Sequence, residues 1–395
     1  MAHSAGIGFS QQPDTIVATQ EAIDEAKERF NSNHIDIVLF FHTVHYDAKT
    51  ISSALYTDSD RAQVIGSSTA GIILPDRVET RGIAVLIIGS DYIRFQSHCA
   101  SHLKLQNLAA AGKTLAEKAS LETPPSQRKL FLLLVDGLIS DISSLIAGAK
   151  TFLGPSFPVI GSGSSDNFRF QKTYQSFNNK ALTDSATGVL MTGEFKYGGA
   201  CRHGCRPLGK PRKITKTTGN IINQIDKKNA FHIFEEYFEG DADQIRQGIL
   251  GYINLRYPLG IYSAAKQEYL LRNVLDILDD DSIVCQDTVL KDKEIHIMSG
   301  NVDTYLQAAV EAAKSVKTQL EGKEPSLILI FESLTRYKLL GKAIHQETQL
   351  IQQVLGKNSP LLGMYSFGEI FTSYMAENFG QTQLQNGSIL IFALS

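Results

Sequence analysis

One order of apolar and amphipathic segments occurs three times along the chain. In the first copy, residues 18–30 have the apolar spacing of a helix, and residues 35–41, IDIVLFF, contain the unbroken apolar run 37–41 that is typical of a buried strand. A second helical segment, a strand that ends in VIGSS and a closing strand, GIAVLIIGS, follow. The same order of helix, strand, helix, strand and strand recurs at residues 109–195 and 303–394. A repeat of this length predicts duplicated α/β units and not the short modules of a solenoid.

The unbroken apolar strands predict sheets that are covered on both faces. Because a strand, a helix and a strand in succession form a parallel crossover, the first two strands of each unit are expected to run parallel. The closing strand follows a tighter connection and is expected to run antiparallel. Residues 230–300 interrupt the repeat and are typical of hairpins in a degenerate further unit. We therefore predict an α/β fold with mixed sheets in two related lobes, and domains at residues 1–226 and 227–395.

Composition narrows the class of protein. The 395 residues carry a net charge of −3, which gives no reason to expect nucleic acid or an anionic membrane as a partner. No apolar run reaches the roughly 18–20 residues that cross a bilayer, and the N terminus lacks the pattern of a secretory signal. Four cysteines are too few for a disulfide scaffold, so the reducing cytoplasm is the expected location.

A Gly-Ser loop follows the second strand of each copy, as VIGSSTAG, VIGSGSSD and LLGMYSFGE. The loops are not nucleophile elbows, because Ala70 stands where the second glycine belongs and a strand follows instead of a helix. They also lack the Gly-Lys-Ser/Thr ending of a P-loop. Since ligand sites of α/β proteins form where strand ends converge, we expect these loops to bind a small ligand. The candidate ligand-binding residues are Ser67, Ser68, Thr69, Gly161, Ser162, Ser164, Ser366 and Glu369.

Two alternatives remain open for the Gly-Ser loops. Gly66, Gly161 and Gly363 would do no more than let the backbone pass where a side chain would collide. Alternatively, Ser68 or Ser164 would be the nucleophile of a hydrolase, although the sequence places no histidine and aspartate beside either serine. We therefore expect a binding protein and not an enzyme.

Other polar residues stand at the ends of the first strands. His42 and His45 follow IDIVLFF, where a histidine either ligates a metal such as haem iron or is satisfied within the fold. Arg336 follows the corresponding strand of the third copy. It would bind a carboxylate with two hydrogen bonds, or form a salt bridge to Glu332 or Glu347.

The segment CRHGCRPLGKPRK places Cys201, His203 and Cys205 close together. A zinc site would need a second pair of ligands, and the sequence offers none nearby. The same segment begins a basic run over residues 202–216, which includes Arg206. Such a run is either a solvated loop or an anchor for a carboxylate ligand.

Several segments, taken in order, resemble the FIST proteins, bacterial sensory proteins with paired N- and C-terminal FIST domains. The segments are VIGSSTAG, PVIGSGSSDNFRF, GCRPLGKPRKIT with TGNIINQID, and PSLILIFESLTRY with PLLGMYSFGEI. They extend from about residue 35 to the end of the sequence. The resemblance implies ligand sensing in signal transduction. Because the sequence ends at ILIFALS without an output module, the signal is expected to pass to a separate protein, such as a histidine kinase or a cyclase.

A stand-alone subgroup of that family binds haem and senses nitric oxide through a partner histidine kinase, and this chain is similar to it in length. The resemblance implies haem b, with His42 or His45 as the axial ligand of the iron. Arg206 of the basic run, or Arg336, would then pair with the propionates. The rival hypothesis is a sensor of amino acids or related small carboxylates, held by the Gly-Ser loops and Arg336. Neither hypothesis predicts an oligomeric state.

Overall fold

The computed structural model describes residues 3–32, 34–238, 245–246, 255–263, 268–372 and 381–395. The first two units of the chain have the same order of elements. The first unit contains β1 (His3–Ser10), α1 (Thr15–Glu28), β2 (Ile37–Thr43), α2 (Ala48–Asp58), β3 (Gln63–Thr69), β4 (Ile72–Ile73), β5 (Val78–Glu79) and β6 (Ile83–Ser90). The second contains β7 (Ile93–Ser101), α3 (Leu108–Lys118), β8 (Arg128–Asp136), α4 (Ile142–Leu153), β9 (Val159–Ser164), β10 (Gln175–Phe177), β11 (Lys180–Leu182) and β12 (Ser185–Gly193).

The third unit repeats this order around an insertion. It begins with β13 (Tyr197–Arg202). The insertion contains β14 (Arg206–Thr218), β15 (Ile221–Ile225), β16 (Lys228–Asn229), α5 (His232–Tyr237), β17 (Leu259–Ser263), β18 (Glu268–Arg272), β19 (Val274–Ile277), β20 (Ile283–Cys285) and β21 (Glu294–Ser299). The unit then continues with α6 (Val302–Gln319), β22 (Leu327–Ser333), α7 (Leu334–Leu340), α8 (Ile344–Leu355), β23 (Leu361–Ser366), β24 (Glu369–Thr372), β25 (Thr382–Gln385) and β26 (Ile389–Leu394).

Each unit builds most of one six-stranded sheet. The strand orders are β1-β6-β2-β3-β10-β11, β7-β12-β8-β9-β24-β25 and β13-β26-β22-β23-β4-β5. The pairs β2/β3, β8/β9 and β22/β23 are parallel, as the crossover rule predicts. The closing strands β6, β12 and β26 run antiparallel to their neighbours. The predicted α/β fold with mixed sheets is therefore confirmed.

The last two strands of each sheet come from a different unit. The hairpin β10–β11 of the second unit extends the first sheet, β24–β25 of the third unit extends the second, and β4–β5 of the first unit extends the third. The sequence pattern did not predict this cyclic exchange, nor the leading strands β1, β7 and β13. The exchanged strands are only two to four residues long, too short for a periodic signal.

The inner faces of the three sheets share one apolar core. Phe41, Leu134 and Phe331, one from each sheet, are completely buried in it. Helices cover the outer faces and form a separate apolar cluster in each unit. Strand β13 precedes the predicted domain boundary but pairs with β26 at the end of the chain. The units are therefore joined through a common core.

Short polar residues set where the helices begin. The side chains of Asp14, Asp47, Asn107 and Asp141 accept backbone N–H groups at the first turns of α1 to α4. Asn301 does the same for α6 within a capping box. Among the described helices, none has the length and apolarity that a bilayer crossing requires.

The insertion of the third unit forms its own antiparallel sheet. The strand order is β18-β17-β21-β14-β15-β20-β19, and β16 pairs with β15. The hairpins predicted for residues 230–300 are thus found in the described part of that segment. The insertion begins earlier than predicted, however, because most of the basic run forms strand β14.

Candidate functional site

The three Gly-Ser segments, which the sequence predicted as loops, form the carboxyl-terminal parts of strands β3, β9 and β23 and contact one another inside the protein. Gly66, Gly161 and Gly363 occupy equivalent positions, each in register with a residue of the neighbouring parallel strand. At Gly161 the backbone has φ +151°, and a Cβ atom would overlap the carbonyl oxygen of Leu133. Only glycine fits such a position. At Gly161, therefore, the sequence alternative in which glycine lets the backbone pass close to its neighbour applies.

The hydroxyl groups of the loops bind one another. The Oγ atoms of Ser67 and Ser164 are 2.6 Å apart, and Ser68 Oγ donates to the Ser165 carbonyl at 3.0 Å. Thr69 Oγ1 donates to the Tyr365 carbonyl at 2.8 Å. All of these hydroxyl-bearing side chains are buried. The loops therefore join the three units, and their predicted role in ligand binding would require these hydrogen bonds to open.

The other predicted residues of the third loop are also engaged. Ser366 Oγ donates to Glu369 Oε1 at 2.7 Å, and Ser388 Oγ donates to Glu369 Oε2 at 2.5 Å. Glu369 is completely buried, and burial raises its pKa to about 8. Ser162, from the second loop, contacts the Sδ of Met364 at 3.7 Å. Glu369 thus lies beneath the surface as a carboxyl group held by two serines.

The Arg336 side chain is completely buried, and its guanidinium forms ion pairs and hydrogen bonds within the protein. Its guanidinium pairs with Glu332 at 3.0 Å and also with Glu347, which is the salt-bridge alternative offered by the sequence. Two further donors bind the carbonyl oxygens of His203 at 3.1 Å and Tyr305 at 3.0 Å. Burial, and next the charge of Glu347, raises the pKa of Glu332. Four of the five N–H donors of Arg336 are therefore used within the protein in this conformation, and one of them fixes the backbone at His203.

The two predicted haem ligands face different surroundings. His42 is completely buried, and its Nδ1 lies 3.1 Å from the Thr43 carbonyl, which places the proton on Nδ1. Its Nε2 has no hydrogen-bond partner in the part of the chain that the structure describes, and burial lowers the pKa of this imidazole to about 4. His45 is exposed and lies 3.0 Å from Thr43 Oγ1. The two histidines therefore do not converge on one site.

A cavity of about 520 Å³ opens where β13 leads into the insertion. Its walls are the segment 201–206, strand β18, the first turns of α6, and strand β25 with Ser388. The sequence pointed to the basic run but not to the other walls, which come together only through the insertion and the exchanged hairpin. The size is in the range of small-molecule sites.

Charged side chains of both signs line this cavity. Arg202 and Arg206 stand on one wall, and neither forms an ion pair with a described residue. Glu268 of β18 and the α6 residues Asp303 and Glu311 also lack a cationic partner among the described residues. Glutamine side chains supply further donors and acceptors, at positions 307, 381, 383 and 385. The cavity can therefore bind a ligand that carries both acidic and basic groups.

The cysteines and the histidine of the cavity wall are uncharged near neutral pH. Burial, and next the charge of Arg336, lowers the pKa of His203 to about 4, and its Nδ1 accepts the Cys205 N–H at 2.9 Å. Burial raises the pKa of Cys201 to about 12 and that of Cys205 as well. Among the described residues, no group of three or more His, Cys, Asp or Glu side chains would hold a metal ion.

Comparisons with known proteins agree with the sequence motifs. The FIST N domain matches residues 36–228 and the FIST C domain matches residues 230–372. An uncharacterized protein of Mycobacterium bovis is 23% identical over 376 residues, which cover 92% of this chain and 93% of that protein. An uncharacterized protein of Methanocaldococcus jannaschii is 22% identical over 232 residues, 56% of this chain and 43% of that protein.

Among solved structures, a cyanuric acid hydrolase from A. caulinodans superposes with a TM-score of 0.41 at 8% identity, over 100% of this chain and 99% of that one. A similarity this low carries no functional inference. The two domain matches together cover most of the chain. The chain therefore belongs to the FIST family, whose domains sense small ligands in signal transduction.

Proposed function

We propose that this protein senses an amphoteric small molecule, an amino acid or a related carboxylate, in the cavity between β13, β18, α6 and β25. The observation that carries the proposal is the set of charges of both signs around one cavity, which have no ion-pair partner among the described residues. Arg202 and Arg206 would bind the carboxylate, because a guanidinium presents two parallel N–H donors to it. Asp303 or Glu311 of α6 would bind the ammonium group.

The proposed role is binding without turnover. Ser68 Oγ accepts the Tyr174 N–H at 2.9 Å and donates to a carbonyl, so neither of its partners is a general base. Ser164 contacts Ser67, another hydroxyl group. A nucleophilic serine needs a base within hydrogen-bond reach, and these contacts favour a structural role for both serines. The bound state would be read by a separate signalling protein, such as a histidine kinase or a cyclase.

A thermal-shift screen over amino acids and small carboxylates tests the proposal. A ligand at 100 times its Kd stabilises the fold by about 2.7 kcal/mol, which gives a measurable rise in Tm. Replacing Arg202 or Arg206 by alanine is expected to weaken binding of the best ligand about tenfold or more, since each removes a charged hydrogen bond. Lys210→Ala is the matched control, because Lys210 belongs to the same basic run and does not line the cavity.

If Lys210→Ala loses as much affinity as the arginine variants, the effect comes from the overall charge of the protein and not from a specific binding site. If no amino acid or carboxylate shifts the Tm of the wild-type protein, the proposal fails.

Haem-based sensing of nitric oxide is a second candidate, and one observation favours it. The unpartnered Nε2 of His42, with the proton held on Nδ1, is the donor that an axial haem ligand requires. The packing around His42 argues against haem binding. His42 lies against the rings of Phe40 and Tyr174, and the cavities of about 520, 450 and 430 Å³ are lined by other residues. In this conformation the surroundings of His42 do not fit a porphyrin ring.

Reconstitution with haem distinguishes the two candidates. The haem hypothesis predicts a stoichiometric complex with a sharp Soret band that shifts with nitric oxide and changes in His42→Ala or His45→Ala. A stoichiometric complex with an unaltered spectrum in both variants would exclude these histidines as ligands. The absence of any stoichiometric complex would leave the amphoteric ligand as the proposed one.

A further inference from the structure

We propose that the ligand of this cavity carries an excess of positive charge, as in a basic amino acid or a short peptide that contains one. The inference rests on the proposed binding function and adds the class of ligand. It follows from the number and the positions of the charged groups around the cavity.

The walls carry more acidic than basic groups. Three carboxylates, those of Glu268, Asp303 and Glu311, line the cavity together with two arginines. His203 adds no charge near pH 7, because burial holds its imidazole neutral. The three carboxylates and two arginines give the walls a net charge of −1, and a ligand with one carboxylate and one ammonium group leaves that charge uncompensated. Since a carboxylate that loses water needs a compensating charge or hydrogen bonds, a second basic group on the ligand is favoured.

The acidic groups of α6 are spaced along the cavity. Asp303, Gln307 and Glu311 follow one another at intervals of four residues and therefore lie on one face of the helix. Eight residues of α-helix rise by about 12 Å. An extended ligand lying along this face would meet a carboxylate near each end, and between them Gln307, whose amide donates to Glu311 at 3.0 Å. An acidic residue in the first turn of a helix, such as Asp303, is favoured by the helix dipole. Glu311 lies two turns further on, so the dipole does not account for an acidic residue there.

A fourth carboxyl group lies directly behind the wall. Ser388 lines the cavity, and its Oγ donates to Glu369 at 2.5 Å. Cys201, which also lines the cavity, donates its S–H to Ser388 Oγ at 3.2 Å. Because burial raises the pKa of Glu369 to about 8, this carboxyl group is mostly protonated at pH 7 and adds little charge, so the acidic excess of the cavity comes from Glu268, Asp303 and Glu311.

Matched ligand pairs test the inference by calorimetric titration of the full chain at pH 7. Arginine and citrulline have nearly the same shape and differ in the charge of the side chain, as lysine and norleucine do in their terminal group. We expect the charged member of at least one pair to bind about tenfold more tightly or more, the effect of one charge-assisted hydrogen bond. We expect Glu311→Gln to reduce that preference to about threefold or less. The control is Glu28→Gln, on the exposed side of α1 away from the cavity, which should leave the preference unchanged.

The possible outcomes separate the two proposals. If citrulline or norleucine, or an acidic amino acid, binds as tightly as the basic ligands, the inference about charge is wrong and the proposed binding function stands. If a preference for basic ligands persists undiminished in both Glu311→Gln and Asp303→Asn, the assignment to α6 is wrong. If neither single amino acids nor dipeptides containing lysine or arginine bind at all, both the inference and the proposed function fail.

Discussion

Replacing Arg336 by alanine is expected to lower the free energy of unfolding by about 3–5 kcal/mol, the usual cost of removing one partner of a buried ion pair. The guanidinium is completely buried between Glu332 and Glu347 and also binds two backbone carbonyls. Its loss would leave a buried carboxylate without its cation and would remove one donor each from the carbonyl oxygens of His203 and Tyr305. Urea denaturation followed by circular dichroism measures the change, with the slope m checked for two-state behaviour.

An exposed pair of the same spacing provides the control. Lys113 and Glu117 form an i,i+4 pair, as Glu332 and Arg336 do, but both side chains are about half exposed. Lys113→Ala is therefore expected to cost no more than about 0.5 kcal/mol. A loss below about 1 kcal/mol in Arg336→Ala would show that the cluster does not stabilise the fold as described. Because Arg336 also fixes the backbone at His203, a variant that still folds should bind the cavity ligand more weakly.

The second large effect is the pH dependence of the free energy of unfolding that Glu369 causes. Burial raises the pKa of this carboxyl group from its ordinary value of 4.5 to about 8 in the folded protein. The unfolded chain therefore releases the proton at a lower pH than the folded protein does. By linkage, the folded state loses stability as pH rises from about 4.5 to about 8, and no more is lost above that range. A shift of this size corresponds to about 3–5 kcal/mol across the range.

Glu369→Gln removes this pH dependence while keeping the shape of the side chain. The free energy of unfolding of the wild type minus that of the variant is expected to fall by a few kcal/mol between pH 4.5 and pH 8. Taking the difference cancels the titration of His42 and His203, whose lowered pKa values reduce stability in the opposite direction, as pH falls from 6.5 to about 4. A difference that stays constant within about 0.5 kcal/mol over this range would contradict the raised pKa of the buried Glu369 carboxyl group.

The sequence predicted those parts of the fold that depend on local patterns. The apolar runs of β2, β8 and β22 predicted parallel central strands, because strands covered on both faces need apolar residues at every position. The leading strands β1, β7 and β13 were missed. They lie at sheet edges, so much of their length is half-exposed and carries polar residues or glycines. The exchange of hairpins depends on contacts between distant units and leaves no local signal.

In the candidate site, too, the sequence indicated residues within single segments but not the contacts between distant segments. The salt bridge of Arg336 was one of two interpretations that the sequence allowed, and only the packing of α7 and α8 decides between them. The basic run pointed to Arg206, but Glu268 and Glu311 were not found. A polar face on α6 with Asp303, Gln307 and Glu311 is visible in the sequence, although such a face is usually solvated. It becomes part of a cavity only because the insertion lies over it.

Hydrogen exchange of the full chain with and without its best ligand tests the central claim most directly, since it locates the binding site without any substitution. The account predicts increased protection of backbone amides in residues 201–206, 268–270 and 303–311, which line the cavity. It predicts no change in the Gly-Ser loops at 66–69 and 161–164, which are buried and hydrogen-bonded to one another without a ligand. Protection that appears in those loops or around His42, with none at the cavity, would contradict the account.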